Sequence, residues 1–271
     1  MEVVKYDPTR TALYRPGLAT EFFMAQAAGT PAALCAELSR LAYCEDRRKL
    51  ERELARAGFS VVESFDERGT QAILVADEDR AVLAFRGTEG DDPTDIISDA
   101  LFLPEDWAPG GKVHTGFARA LKFVWPAIAP RLESLDRQVL FTGHSLGAAL
   151  ATLAASLYPD ASLYTFGSPR VGDQEFCETL AQVDAHRFVG CCDLVCRVPP
   201  RPYRHVGALH YIDREGNISL DPEESMMAND RSLAREDYLV RYAWRNRNIL
   251  VRDLADHAPV NYVYALVGEV G

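Results

Sequence analysis

Short apolar runs alternate with amphipathic stretches along most of the chain. Phe59–Phe65, Gln71–Ala76 and Arg80–Phe85 are rich in branched and aromatic residues, are separated by glycine and acidic turns, and predict three successive strands. Leu34, Leu38 and Leu41 recur at helical spacing behind Thr30-Pro31, a proline suited to a first helical turn. Arg47–Gly58 reads as a charged helix ended by its glycine, and Gly116–Leu135 as a helix kinked near Pro126. Beyond it come a strand (Gln138–Thr142), a helix (Ala148–Ala155), a strand (Ala161–Phe166), a helix (Asp173–Val183) and a strand (His186–Cys192). Val206–Asp213 pairs with a short strand near Ile218, and a last helix follows Pro259. Strands alternating with helices, and apolar on both faces, predict an α/β fold with a mostly parallel sheet covered on both sides. With 271 residues, 48% of them hydrophobic, and no repeat or linker, the chain is expected to form one domain over 1–271.

Composition narrows the partners. A formal net charge of −11 argues against nucleic acid and against an anionic membrane as a general partner. No segment approaches the roughly 20 apolar residues of a membrane span. Met1–Pro8 lacks the basic, apolar, small-residue order of a signal peptide, which leads to the expectation of a cytoplasmic protein. Its six cysteines are then expected to be free, buried thiols in a reducing compartment. Cys191 and Cys192, placed in a strand, should face opposite sides of the sheet. There is no Cys-x-x-Cys pair and the histidines are scattered, so neither a metal nor a cofactor is expected.

The richest local signal is Gly143-His144-Ser145-Leu146-Gly147, set between a strand and a helix-forming alanine-rich run. A Gly-x-Ser-x-Gly in that context forms a tight turn that presents the serine at the helix N-terminus. A serine hydroxyl needs an imidazole to take its proton and a carboxylate to hold that imidazole. On such a sheet the partners follow in the order serine, acid, histidine. His186, His205, His210 and His257 all lie downstream. His257 stands out in a loop-like Asp256-His257-Ala258-Pro259, and Asp193 ends a predicted strand. The bland alternatives are that Asp193 caps a turn and that His257 is a surface residue beside Asp256. His144 and His114 read as structural.

The chain resembles the class 3, fungal-type lipases over about residues 70–265. The resemblance rests on Phe85-Arg86-Gly87-Thr88, Val113-His114-Thr115-Gly116-Phe117, Thr142–Gly147, Thr165–Asp173, Asp193-Leu194-Val195 with Pro199-Pro200, and Asp256-His257, in that order. It implies an α/β-hydrolase fold and a catalytic triad of Ser145, Asp193 and His257. It also implies an oxyanion hole from the backbone N–H groups of Thr88 and Leu146, and a fatty-acyl ester substrate. A phospholipase or acyltransferase on the same triad, or a hydrolase-like scaffold without turnover, are the alternatives. Relatives carry a lid before the His114 motif, and here the corresponding segment is Asp91–Asp99, with Asp95, Ile96 and Ile97 as lid and substrate-binding positions. Two isoleucines among four aspartates bury little apolar surface, so lipid-interface contact is expected to be transient and interfacial activation weak. Cys196 stands where relatives commonly have proline. The least familiar part is Val206–Leu254, made basic by Arg231, Arg235, Arg241, Arg245, Arg247 and Arg252. It is read as a solvated helix face, with an anionic headgroup or carboxylate site as the sharper alternative.

Overall fold

Strand residues that alternate between two apolar faces dictate the architecture. In the computed structural model, which describes residues 5–18, 21–87 and 103–268, eight strands form one sheet whose order in space is their order in the chain. They are β1 (Ser60–Glu67), β2 (Thr70–Ala76), β3 (Arg80–Phe85), β4 (Gln138–His144), β5 (Ser162–Phe166), β6 (Ala185–Gly190), β7 (Ala208–Ile212) and β8 (Ile218–Leu220). The five central strands β3 to β7 are parallel. β1 and β2 at one edge and β8 at the other pair antiparallel. This is the α/β-hydrolase arrangement: a mostly parallel sheet with helices on both sides.

The helices that cover it are α1 (Pro31–Leu41), α2 (Arg47–Arg56), α3 (Thr115–Glu133), α4 (Leu146–Leu157), α5 (Gln174–Thr179), α6 (Glu224–Arg241), α7 (Arg252–Ala255) and α8 (Pro259–Gly268). On one face Leu83, Phe85 and Phe141 pack against Leu121 of α3 and Leu150 of α4. On the other, Val82, Ala84 and Leu140 pack with Leu34 and Leu38 of α1 and Val263 of α8. Neighbouring residues of β3 thus enter opposite cores, which the period-2 alternation of a strand requires. α1 starts as its sequence predicts, with the Thr30 hydroxyl accepting from Ala33 N–H and Pro31 in the first turn.

Three expectations need correction. The helix read over Asp173–Val183 is only Gln174–Thr179. Asp173 caps it, but Leu180 and Val183 close in turns that carry the chain back to β6. Cys191 and Cys192 lie beyond the end of β6, in a turn closed by Asp193 N–H donating to Gly190 C=O. Their sulfurs are therefore 3.8 Å apart rather than on opposite faces. The basic stretch is not uniformly solvated either. Arg252 is buried against Asp256, and Arg235 pairs with Asp253. Among the described residues all six cysteines are free thiols, and no helix is long and apolar enough to cross a membrane.

Candidate active site

A single residue, Ser145, joins β4 to α4. Its backbone sits at φ 59°, ψ −125°, a region that side chains disfavour. The flanking glycines make the turn possible by removing atoms. A Cβ at Gly143 would come 2.2 Å from the Gly147 carbonyl carbon, and one at Gly147 would come 2.2 Å from the Phe85 oxygen. Ser145 N–H donates to Phe166 C=O on β5, which fixes the turn across the strand ends.

Two distant segments meet this serine. His257, between α7 and α8, places Nε2 2.9 Å from Ser145 Oγ and Nδ1 2.8 Å from Asp193 Oδ2. Asp193 lies just past β6 and is also held by the Tyr262 hydroxyl at 2.5 Å and by Val195 N–H at 2.9 Å. All three residues are at least 96% buried, with exposures of 4% for Ser145 and 2% for Asp193 and His257. Burial alone would raise the Asp193 pKa, but the adjacent His257 charge and the hydrogen bonds from His257 and Tyr262 lower it instead. The carboxylate is thus ionised and accepts only, so His257 Nδ1 carries the proton and its Nε2 lone pair faces the serine hydroxyl. Gly167, at φ 59°, leaves room for this contact, because a Cβ there would stand 2.9 Å from Asp193 Oδ2 and 3.0 Å from the His257 ring.

The remaining predicted residues divide into three groups. Leu146 is the first residue of α4, so its N–H has no acceptor within the helix and is free for a ligand oxygen. Thr88, Asp95, Ile96 and Ile97 lie outside the described residues. The rival histidines stand elsewhere: His186 bonds His210 at 2.9 Å and Asp184 at 3.0 Å, and His205 Nε2 reaches the Cys196 carbonyl at 2.8 Å. Asp193 does cap its turn through Oδ1, but its Oδ2 meets His257, and His257 is buried and not a surface residue. Asp256 turns away from His257, toward the Tyr6 hydroxyl, the Cys192 N–H and Arg252.

Sequence reasoning missed the supports behind the three residues. His144 Nε2 lies 2.7 Å from the His257 carbonyl oxygen and its Nδ1 3.1 Å from the Tyr43 hydroxyl. A carbonyl only accepts, so Nε2 carries the proton and Nδ1 accepts from Tyr43. Burial pushes the His144 pKa down to about 3, with the nearby His257 charge adding to the effect, so this ring is neutral. Tyr262, five residues past His257, gave no pattern by which it could be found. Burial and the Asp193 charge raise its pKa well above the usual phenol value, keeping it a donor. A cavity of about 420 Å³ lined by Tyr6, Arg252, Asp256 and Tyr262 lies behind the acid-bearing turn and is not lined by Ser145 or Leu146. Among the described residues only Cys191, Cys192 and Asp256 gather potential metal-ligand atoms, within 4.8 Å. Those atoms already bond to Asp230, Arg231 C=O and Arg252.

Comparison with known proteins finds lipases. Residues 82–203 match the class 3 lipase family. Secreted mono- and diacylglycerol lipase A of Penicillium cyclopium is 32% identical over 158 residues, which cover 53% of this chain and 51% of that protein. The chain spans about half the length of the curated relatives it matches. Among solved structures, mono- and diacylglycerol lipase from Aspergillus oryzae has a TM-score of 0.55 at 29% identity, covering 70% of this chain and 77% of that one. Lipase from Rhizopus microsporus var. chinensis has a TM-score of 0.54 at 26% identity, covering 78% and 84%. These relatives overturn the expectation of a cytoplasmic location. Several are named secreted lipases, which points to an extracellular one. The cytoplasmic expectation rested on the composition of Met1–Pro8, and the free thiols were inferred from it. A core held by apolar packing is indifferent to the redox compartment, so they do not argue for either location.

Proposed function

From the match of residues 82–203 to the class 3 lipase family, we propose that the chain is a serine carboxylester hydrolase, one domain with a short lid at 91–99, acting on acylglycerol or other fatty-acyl esters. The observation that carries this reading is the unbroken hydrogen-bonded line Ser145–His257–Asp193, buried throughout. Ser145 Oγ attacks the ester carbonyl while His257 Nε2 takes its proton, and Asp193 stabilises the imidazolium. The N–H groups of Leu146 and Thr88 hold the developing oxyanion, each such donor contributing on the order of 3 kcal/mol to transition-state stabilisation. His257 returns the proton to the departing alcohol. Water, activated by the same imidazole, then releases the fatty acid and restores Ser145. Mono- and diacylglycerols fit as substrates by analogy with the named relatives.

The test is the initial rate on p-nitrophenyl esters from acetate to palmitate, with Ser145→Ala alongside. Turnover is expected to fall on the order of a millionfold in the variant, and a fluorophosphonate probe should label Ser145 covalently. An unlabelled serine and no Ser145-dependent hydrolysis would overturn the reading in favour of a non-catalytic scaffold.

A further inference from the structure

The end of α6 and the loop behind it combine two properties that rarely coincide on an acidic protein. From Tyr238 to Arg252 there is no aspartate or glutamate, although the whole chain carries a net charge of −11. In the same stretch Val240, Trp244 and Leu250 are 83%, 87% and 67% exposed, with Leu239 and Val251 exposed beside them. Arg241, Arg245 and Arg247 are exposed among these side chains, and none makes an ion pair among the described residues. Glu236 and Asp237, one turn back on α6, bound the surface on that side.

This is not a frayed loop whose apolar groups have merely failed to pack. Ile249 N–H donates to Pro8 C=O, Arg10 N–H donates to Arg247 C=O, and the Tyr238 hydroxyl donates to Ile249 C=O. The backbone is therefore pinned while the large apolar side chains point outward. Such presentation lowers the ordering cost of binding. Exposed contiguous apolar surface marks an interaction site. Aliphatic groups with one tryptophan and a fringe of arginines match the headgroup level of a lipid layer, where the rings sit at the boundary and the cations meet phosphate. A second copy of this chain fits poorly, since a symmetric contact would press these arginines against their own kind.

We propose that residues 239–251 are a docking surface for an anionic lipid–water interface. The inference rests on the hydrolytic reading for its purpose. The surface ends at Val251, which leads into α7 and then His257, and Asp253 C=O of α7 accepts from Leu194 N–H beside the acid. An interface held there lies one short helix from the base of the proposed triad.

The experiment uses the full chain carrying Ser145→Ala, co-sedimented with phosphatidylcholine vesicles with and without phosphatidylglycerol. Binding is expected only to the phosphatidylglycerol vesicles, weakening as salt is added, with a blue shift of tryptophan emission that Trp244→Phe abolishes. Replacing Arg241, Arg245 and Arg247 together by Gln should lower the partition coefficient on the order of a hundredfold, at about fivefold per arginine. The same triple change at exposed Arg48, Arg52 and Arg201 should leave it within about twofold. Equal binding to both vesicles, no binding to either, or no effect of the 241/245/247 triple would overturn the proposal. So would a dimer in sedimentation that Trp244→Ala dissolves. Because adsorption is read without turnover, its failure would leave Ser145-dependent hydrolysis of soluble esters standing, and the reverse holds.

Discussion

Three donors converge on the Asp193 carboxylate: His257 Nδ1, the Tyr262 hydroxyl and Val195 N–H. Tyr262 also accepts from Gly190 N–H at 3.0 Å, so one hydroxyl ties the acid to the end of β6. Tyr262→Phe removes both bonds and leaves Gly190 N–H buried without a partner, a cost of about 1–3 kcal/mol in unfolding free energy. Because Tyr262 acts through Asp193 and not on substrate, kcat on a soluble ester should drop about tenfold with KM unchanged, at the roughly 1.4 kcal/mol that a lost hydrogen bond to a charged group implies. Steady-state kinetics checks this, and a change confined to KM would show that Tyr262 contacts substrate instead. The serine turn was legible in the chain, whereas its acid and base were implied by the resemblance, because four downstream histidines share the required chemistry. His144 was read as structural, but its partner Tyr43 and the acid's partner Tyr262 were not legible as supports, since nothing in their spacing brings them to the site.

At the scale of elements, the site depends on how closely α4 approaches β3. Gly147 lies on the first turn of α4, and a Cβ there would stand 2.2 Å from the Phe85 oxygen and 2.9 Å from its carbonyl carbon. Backbone atoms cannot swing aside as a flexible side chain would. Gly147→Ala should therefore push α4 away from β3 and cost about 1–3 kcal/mol by overpacking, seen as a lower urea midpoint with an unchanged slope. It should also displace Leu146 N–H and so reduce kcat, whereas an unaltered midpoint and rate would refute the close approach. The strands β1 to β3 and helix α1 were readable from alternation and capping alone, because local propensity and tertiary burial agree there. α5 was overextended in the reading because an amphipathic pattern continues past Thr179 while the chain must turn to re-enter the sheet. Cys191 and Cys192 were misplaced for the same kind of reason: their apolar character extends the strand pattern past Gly190, where the chain already turns.

For the molecule as a whole, buried histidines set an acid limit. Burial lowers the pKa values of His144 and His205 to about 3, with the Arg187 charge adding to the effect at His205. Between about pH 3 and the unfolded value near 6.5 the unfolded chain binds more protons than the folded one. Stability must then fall as pH drops below about 6.5, by about 1.4 kcal/mol per pH unit for each such group. Asp193, with its pKa lowered, adds stability above its unfolded value that is lost as pH falls through its folded one. Urea unfolding at pH 7 and pH 5 should show the fall, and His205→Gln should flatten it relative to the parent chain. An identical slope in the variant would show that His205 does not stay neutral in the fold.

The alternation that makes the sheet and the strand–turn–helix around Ser145 were set in the chain, because each rests on local pattern, and the need for an acid and a base followed from the chemistry of a serine nucleophile. Tertiary structure alone decided which histidine meets the serine, how Asp193 is held, and that Asp256 faces Arg252 and not His257. It also decided that the basic stretch divides into paired, partly or fully buried arginines and an exposed apolar platform. Most of those outcomes depend on contacts between residues tens to hundreds of positions apart, and even the local Arg252–Asp256 pair takes its direction from burial that exists only once the chain has folded.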